Sequence, residues 1–118
     1  NPKEMNAVLE EYSIGMTLDI SHATPPLSLA LSFVELLADS ILNVHVSTTR
    51  GTTRHLRPSD GSVDEVLIAL RDDKYKGPLT LELDDNKFPA ILSKEDKVGV
   101  LRAERQHLES IWDQETNF

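Results

Sequence analysis

Three short segments of this chain share one alternation: Met16-Thr17-Leu18-Asp19-Ile20, Leu42-Asn43-Val44-His45-Val46 and Leu79-Thr80-Leu81-Glu82-Leu83. Side chains two apart on an extended strand lie on the same face. Thr17 therefore shares a face with Asp19, Asn43 with His45, and Thr80 with Glu82, while the opposite face is wholly aliphatic. An open, doubly wound sheet is apolar on both faces because helices cover both. A polar face on strands that are each followed by a helix fits a barrel instead, where helices cover only the outside. In each strand the larger ionisable residue lies nearer the C-terminal end, which is where barrel active sites sit.

The intervening sequence alternates between strand and helix periodicity. Residues 6–12 read as the end of a helix, with Gly15 as a stop just beyond it. Strands are expected near 16–20, 41–46 and 79–83, with a two-proline turn over 21–26. Residues 28–39 read as a helix with Leu29, Phe33, Leu36 and Leu37 as its buried stripe. Residues 47–61 read as a fifteen-residue polar loop, a length usually associated with function or disorder. Ser62-Val63-Asp64-Glu65 has the form of a capping box, followed by Val63, Val66, Leu67 and Leu70 as an apolar face. Tyr75-Lys76-Gly77-Pro78 makes a turn. Ser93 caps a last helix whose stripe is Val98, Leu101, Leu108, Ile111 and Trp112, with His107 exposed between stripe positions. The order αβαβαβα predicts an α/β fold with parallel strands and right-handed helical crossovers, one domain over residues 1–118, and the polar strand face fits part of a barrel.

Composition narrows the function classes. The 118 residues are 39% hydrophobic, enough for one core. The absence of cysteine excludes disulfides, thiolate metal sites and a Cys nucleophile, and fits a reducing, cytoplasmic setting. Twelve basic against twenty acidic residues give a net charge of −8, which does not favour binding a phosphate backbone over the whole surface. No apolar run approaches the roughly 20 residues that cross a bilayer. The start, Asn1-Pro2-Lys3-Glu4, lacks the pattern of a signal peptide, and the missing initiator Met suggests that upstream residues have been lost.

Asp19, His45 and Glu82 converge at the strand ends as two carboxylates and an imidazole. Zn, Mn, Co and Fe(II) accept such a mixed set, and Mg accepts the carboxylates. One buried polar residue is usually just hydrogen-bonded. Three at equivalent strand positions favour a site. Arg50, Arg54, His55 and Arg57 cluster in the 47–61 loop of an otherwise acidic chain, and could equally bind a substrate phosphate or carboxylate or form surface ion pairs. Asp84 and Asp85 read as solvated residues at the rim, and Trp112 as core.

Leu18-Asp19-Ile20-Ser21-His22-Ala23 resembles the D-x-x-H strand end of the xylose isomerase-like TIM barrels. Val44-His45-Val46 resembles their next strand, and Gly61-Ser62-Val63-Asp64 their glycine-led helix entry. Tyr75-Lys76-Gly77-Pro78-Leu79-Thr80-Leu81-Glu82 is similar to their Tyr-x-Gly turn leading into a strand that ends on a ligand Glu. The likeness spans about residues 6–112. It implies that this chain is the C-terminal part of a (β/α)8 TIM barrel, a parent of eight strands in ~250 residues, whose N-terminal part would carry a further ligand Glu and a catalytic Glu.

By this resemblance Asp19, His45 and Glu82 hold a divalent metal ion, Glu82 also serves in proton transfer, and His22 touches a substrate hydroxyl. Arg50, Arg54 and His55 are placed for substrate. The function expected is a sugar or polyol isomerase or epimerase acting on a sugar or sugar phosphate, inactive as this fragment alone. The endonuclease IV-like members of the superfamily give an alternative, an AP endonuclease in DNA repair. There His22 would itself be a ligand, and a D-x-H motif would stand where this chain reads Thr53-Arg54-His55, without the aspartate. A second alternative is a non-catalytic half-barrel that self-associates, since three strands cannot close a barrel and leave open edges. Partners are then a second copy of the chain, as a homo-oligomer, or the N-terminal half.

Overall fold

Leu18, Ile20, Val44 and Val46 are almost completely buried, and around them the rest of the chain is layered. The computed structural model describes residues 1–24, 27–50, 53–60, 62–84, 86 and 88–113. Its elements are α1 (Pro2–Tyr12), β1 (Met16–Asp19), α2 (Leu27–Leu37), β2 (Ile41–Val46), β3 (Thr48–Arg50), β4 (Thr53–Leu56), α3 (Asp64–Asp72), β5 (Leu79–Leu81) and α4 (Lys94–Asp113). Short 3-10 turns occupy Ala38–Ser40 and Pro58–Asp60. The described residues form a mixed α/β fold: a three-stranded parallel sheet in the order β1-β2-β5, with four helices.

The strand alternation expected from sequence is present. Leu18 and Val44 are 2% and 0% exposed, whereas Asp19 and His45 beside them are half-buried. One hydrophobic cluster joins the aliphatic strand residues to Leu9 of α1, Val34 of α2, Leu67 of α3 and Leu108 of α4. Fully burying an aliphatic side chain of this kind stabilises by about 1.5–3 kcal/mol. Neighbouring helices touch in chain order, α1 on α2, α2 on α3 and α3 on α4. Among the described residues no helix is long and apolar enough to cross a membrane.

Several details differ from the sequence reading. The 47–61 segment is not wholly irregular: β3 and β4 form an antiparallel hairpin, pairing Thr48 with Leu56 and Arg50 with Thr53. This hairpin interrupts the regular αβαβαβα order. The aliphatic face of β2 is not continuous either. Met16 pairs with Ile41 and Thr17 with Asn43, so Leu42 is an extra residue in the ladder and stands 64% exposed. Such a bulge reverses the facing of what precedes it, and Ile41 takes the buried position instead. Leu42 lies over Gly15, where a Cβ would meet its Cδ1 at 2.3 Å. Gly15 is thus a site of close approach, and the left-handed residue that ends α1 is Ser13, with φ 52°.

The buried stripe of α2 is Ala30, Val34 and Leu37, rotated about one position from the expected one, with Leu36 exposed. That helix is apolar on most sides, so its pattern did not single out a face. The helix after Ser62 begins at Asp64 with Val63 as N-cap, and the Ser62 hydroxyl pairs with that of Thr48. The expected face of Val63, Val66, Leu67 and Leu70 is buried throughout. Ser93 and Asp96 exchange the two reciprocal bonds of a capping box at the start of α4. On α4 itself Val98 and Leu101 are about two-fifths exposed, at 40% and 41%, while Glu104 is fully buried. His107 is not simply exposed: its Nε2 lies 2.9 Å from Asp64 Oδ1. The prolines at 25 and 26, Gly61 and Asp85 lie outside the described residues.

Candidate functional site

Parallel register brings the polar residues together. Asp19 pairs with His45 across β1 and β2, and His45 pairs with Thr80 across β2 and β5. The ladder continues past the strand ends: the Ile20 amide donates to the His45 carbonyl and the Glu82 amide to that of Val46. Asp19, His45 and Glu82 therefore stand side by side at the C-terminal edge of the sheet. One ligand atom from each lies within 4.8 Å of the other two. Their side chains are 22%, 34% and 38% exposed, open enough for a ligand to reach.

The distances are uneven. His45 Nδ1 is 2.8 Å from Glu82 Oε2 and 3.8 Å from Asp19 Oδ2. Glu82 Oε2 nevertheless has no hydrogen-bond partner among the described residues, although it is buried. The imidazole is close to it without directing an N–H at it, and a hydrogen bond needs that direction. An unpartnered buried carboxylate oxygen is costly unless something else satisfies it. Asp19 is held in place, with Oδ1 accepting from the Ser21 hydroxyl at 2.8 Å and from the His22 amide at 3.2 Å. Ser21 is itself fully buried. This is the kind of supporting shell that fixes a metal ligand's orientation.

The hairpin adds a second imidazole at the site, which sequence reasoning placed only loosely. His55 is 15% exposed, and its Nδ1 lies 3.7 Å from Glu82 Oε1. The Ser47 and Ser21 hydroxyls stand 3.4 and 3.5 Å from the same nitrogen. His55 also has a positive φ of 59°, uncommon outside glycine and a form of strain often seen at functional sites. His22 stands more outward, 52% exposed, with Nε2 3.9 Å from Asp19 Oδ2. Its ring meets that of His55 edge to face, with centroids 5.4 Å apart, and its Nδ1 accepts from Arg54. Arg54 is thereby engaged beside the site. Arg50 and Arg57 do not join the Asp19–His45–Glu82 group and instead line the adjacent pocket.

Sequence reasoning missed three contributors. Ser21 and Ser47 are buried hydroxyls in segments read simply as turn and loop. Glu104, at 0% exposure, accepts from the Ser59 amide at 3.1 Å and from Arg57 Nε at 3.4 Å, anchoring the chain after the hairpin to α4. One signal was available: Glu104 falls three after Leu101 and four before Leu108, on the helix's own apolar stripe.

No family model matches the sequence, and no solved structure matches it. A curated relative, an uncharacterized protein of Methanocaldococcus jannaschii, is 33% identical over 116 residues. The similarity takes in 94% of this chain and 42% of that protein, so the chain spans less than half the length of the relative it resembles.

Proposed function

We propose that Asp19, His45 and Glu82 bind a divalent metal ion, and that the chain is the C-terminal part of a xylose isomerase-like barrel enzyme acting on a sugar or polyol. The observation that carries the metal site is Glu82 Oε2, buried and without a hydrogen bond among the described residues, within a group whose ligand atoms lie within 4.8 Å of one another. A nitrogen and two carboxylate donors suit Zn, Mn, Co or Fe(II). Support for a longer barrel comes from both ends of the fragment. Met5, Val8 and Tyr12 leave an apolar stripe exposed on α1, and Leu101 is exposed beside β5, the last strand of the sheet. Further strands and helices on either side would cover both.

In this reading Asp19, His45 and Glu82 would hold a divalent ion, and that ion would supply polarisation of a substrate carbonyl and its neighbouring hydroxyl, easing removal of the adjacent C–H proton. Glu82 is the carboxylate of this chain that takes or returns that proton. His22, exposed beside Asp19, touches a substrate hydroxyl, and Ser21 keeps Asp19 turned inward. A second carboxylate from the rest of the barrel completes the proton transfer, so the fragment alone is inactive. The test is metal titration of the wild-type chain and of Asp19→Ala by calorimetry, with ketose epimerisation assayed on the full-length protein. Equal metal affinity in the two would overturn the site.

A second reading rests on a separate observation. His55 faces Glu82 and His22 faces Asp19, so imidazoles flank both carboxylates. Such a cluster suits more than one ion, as in an AP endonuclease-like phosphodiesterase. The net charge of −8 weighs against a nucleic-acid substrate. Cleavage of abasic-site DNA by the full-length protein, without ketose epimerisation, would select this reading.

A further inference from the structure

Beside the metal-ligand group lies a pocket of about 710 Å³ that belongs to neither the sheet nor the cluster. Its volume falls in the range of small-molecule sites. One wall is apolar, formed by Leu83, Phe88, Leu92 and Val100. Arg50, His55 and Arg57 line it too, and the carboxylate among its described lining residues is Asp84. Two arginines lining one pocket stand out in a chain with twelve basic and twenty acidic residues. Near the apolar wall, Lys97 Nζ lies 6.0 Å from the centroid of the Phe88 ring.

The pocket is braced from behind. Glu104 is completely buried, and its Oε1 holds both Arg57 Nε and the Ser59 amide. Burying a carboxylate is unfavourable unless it is paired, and here it fixes one cation of the pocket while leaving that side chain 52% exposed. His55 joins the pocket to the metal-ligand group, since it lines one and lies 3.7 Å from Glu82 in the other. The pocket also follows the last two strands of the parallel sheet, the region where barrel enzymes commonly hold a substrate phosphate.

We propose that this pocket binds an anionic head, phosphate or carboxylate, carried on an apolar stem, and that the substrate of the adjacent site has such an end. Arginine forks match both anions. A bare sugar ring would leave its hydroxyls unpaired against Leu83, Phe88, Leu92 and Val100, which is costly. An alkyl or aryl stem fits that wall. The inference rests on the metal reading only for which end of the ligand reacts.

The test is an amide-resolved NMR titration of the whole chain with phenyl phosphate, benzoate, phenol and inorganic phosphate. Phenyl phosphate or benzoate is expected to shift the amides of Leu83, Leu92 and Val100, with phenol and inorganic phosphate at least about tenfold weaker. The stronger of the two anions identifies the head group. Val100→Glu, which puts a carboxylate into the apolar wall, and Arg50→Gln are each expected to weaken binding at least about tenfold with circular dichroism unchanged. The proposal is overturned if neither anion shifts those amides, or if phenol binds as tightly as both. Asp19→Ala separates the two readings: it is expected to lose metal and keep the anion. Retained metal in that variant overturns the metal site alone, and lost anion binding in the folded variant overturns the pocket.

Discussion

His45 Nδ1 and Glu82 Oε2 stand 2.8 Å apart, yet among the described residues the carboxylate oxygen has no hydrogen bond. Two ligand-type atoms that are close without being directed at each other are arranged for a third partner. His45→Gln is expected to lower Zn or Mn affinity by at least about tenfold, read by calorimetry, and Glu82→Gln similarly. Unchanged affinity in both variants would remove the basis for a metal site.

Ser21 tests whether the surrounding shell matters. Its hydroxyl donates to Asp19 Oδ1 at 2.8 Å from a fully buried position. Ser21→Ala leaves Asp19 present but free to turn. Losing such a partner typically costs about 10–100-fold in metal affinity, with little change in urea midpoint. A metal affinity equal to wild type would mean that Ser21 only fills space.

Glu104 links α4 to the chain that follows the hairpin. Glu104→Leu removes the acceptor for the Ser59 amide and Arg57 and leaves both without it. A destabilisation of about 1–3 kcal/mol is expected from urea unfolding. The amides of residues 53–59 should then exchange faster than those of β1 and β2, because the hairpin loses its anchor while the sheet does not.

Gly77 and Tyr75 make a tight corner before β5. A Cβ at Gly77 would lie 2.3 Å from the Tyr75 hydroxyl and 2.8 Å from the Leu42 carbonyl oxygen, so Gly77→Ala is expected to cost about 1–3 kcal/mol. The Tyr75 hydroxyl donates to the Pro78 carbonyl at 2.8 Å. Burial raises the Tyr75 phenol above its ordinary value of 10.0. The folded state therefore favours the neutral ring, and this contribution is present below the unfolded value and lost as pH rises through the folded one. Tyr75→Phe is expected to cost about 1 kcal/mol at neutral pH and to flatten the alkaline end of the stability profile.

The sheet ends on β1 and β5, and apolar residues lie exposed at each end, among them Tyr12 at 65%. Open edges invite pairing. The chain on its own is expected to self-associate with rising concentration, read by size-exclusion chromatography with light scattering. Co-expression with the remaining part of a full-length protein should suppress that association. A stable monomer over the whole concentration range would count against the partial-barrel reading.

The sequence by itself determined the strand alternation, and with it the group Asp19, His45 and Glu82. That much follows from local rules: side chains two apart share a face, and parallel strands in register bring equivalent positions together. It also determined the face of α3 and Ser93 as the cap of α4, because both depend on residues within or next to a single helix. Only the tertiary structure decided the rest. The bulge at Leu42 depends on its pairing with β1, and the buried face of α2 on which neighbours it meets. Residues 47–61 looked like loop because their hairpin is short and polar. Its place over the sheet is set by distant contacts, from Thr49 to the Ser21 carbonyl and from Ser59 to Glu104. Those contacts carry His55 to Glu82, and no periodicity records them, since each is a single hydrogen bond between segments far apart in the chain.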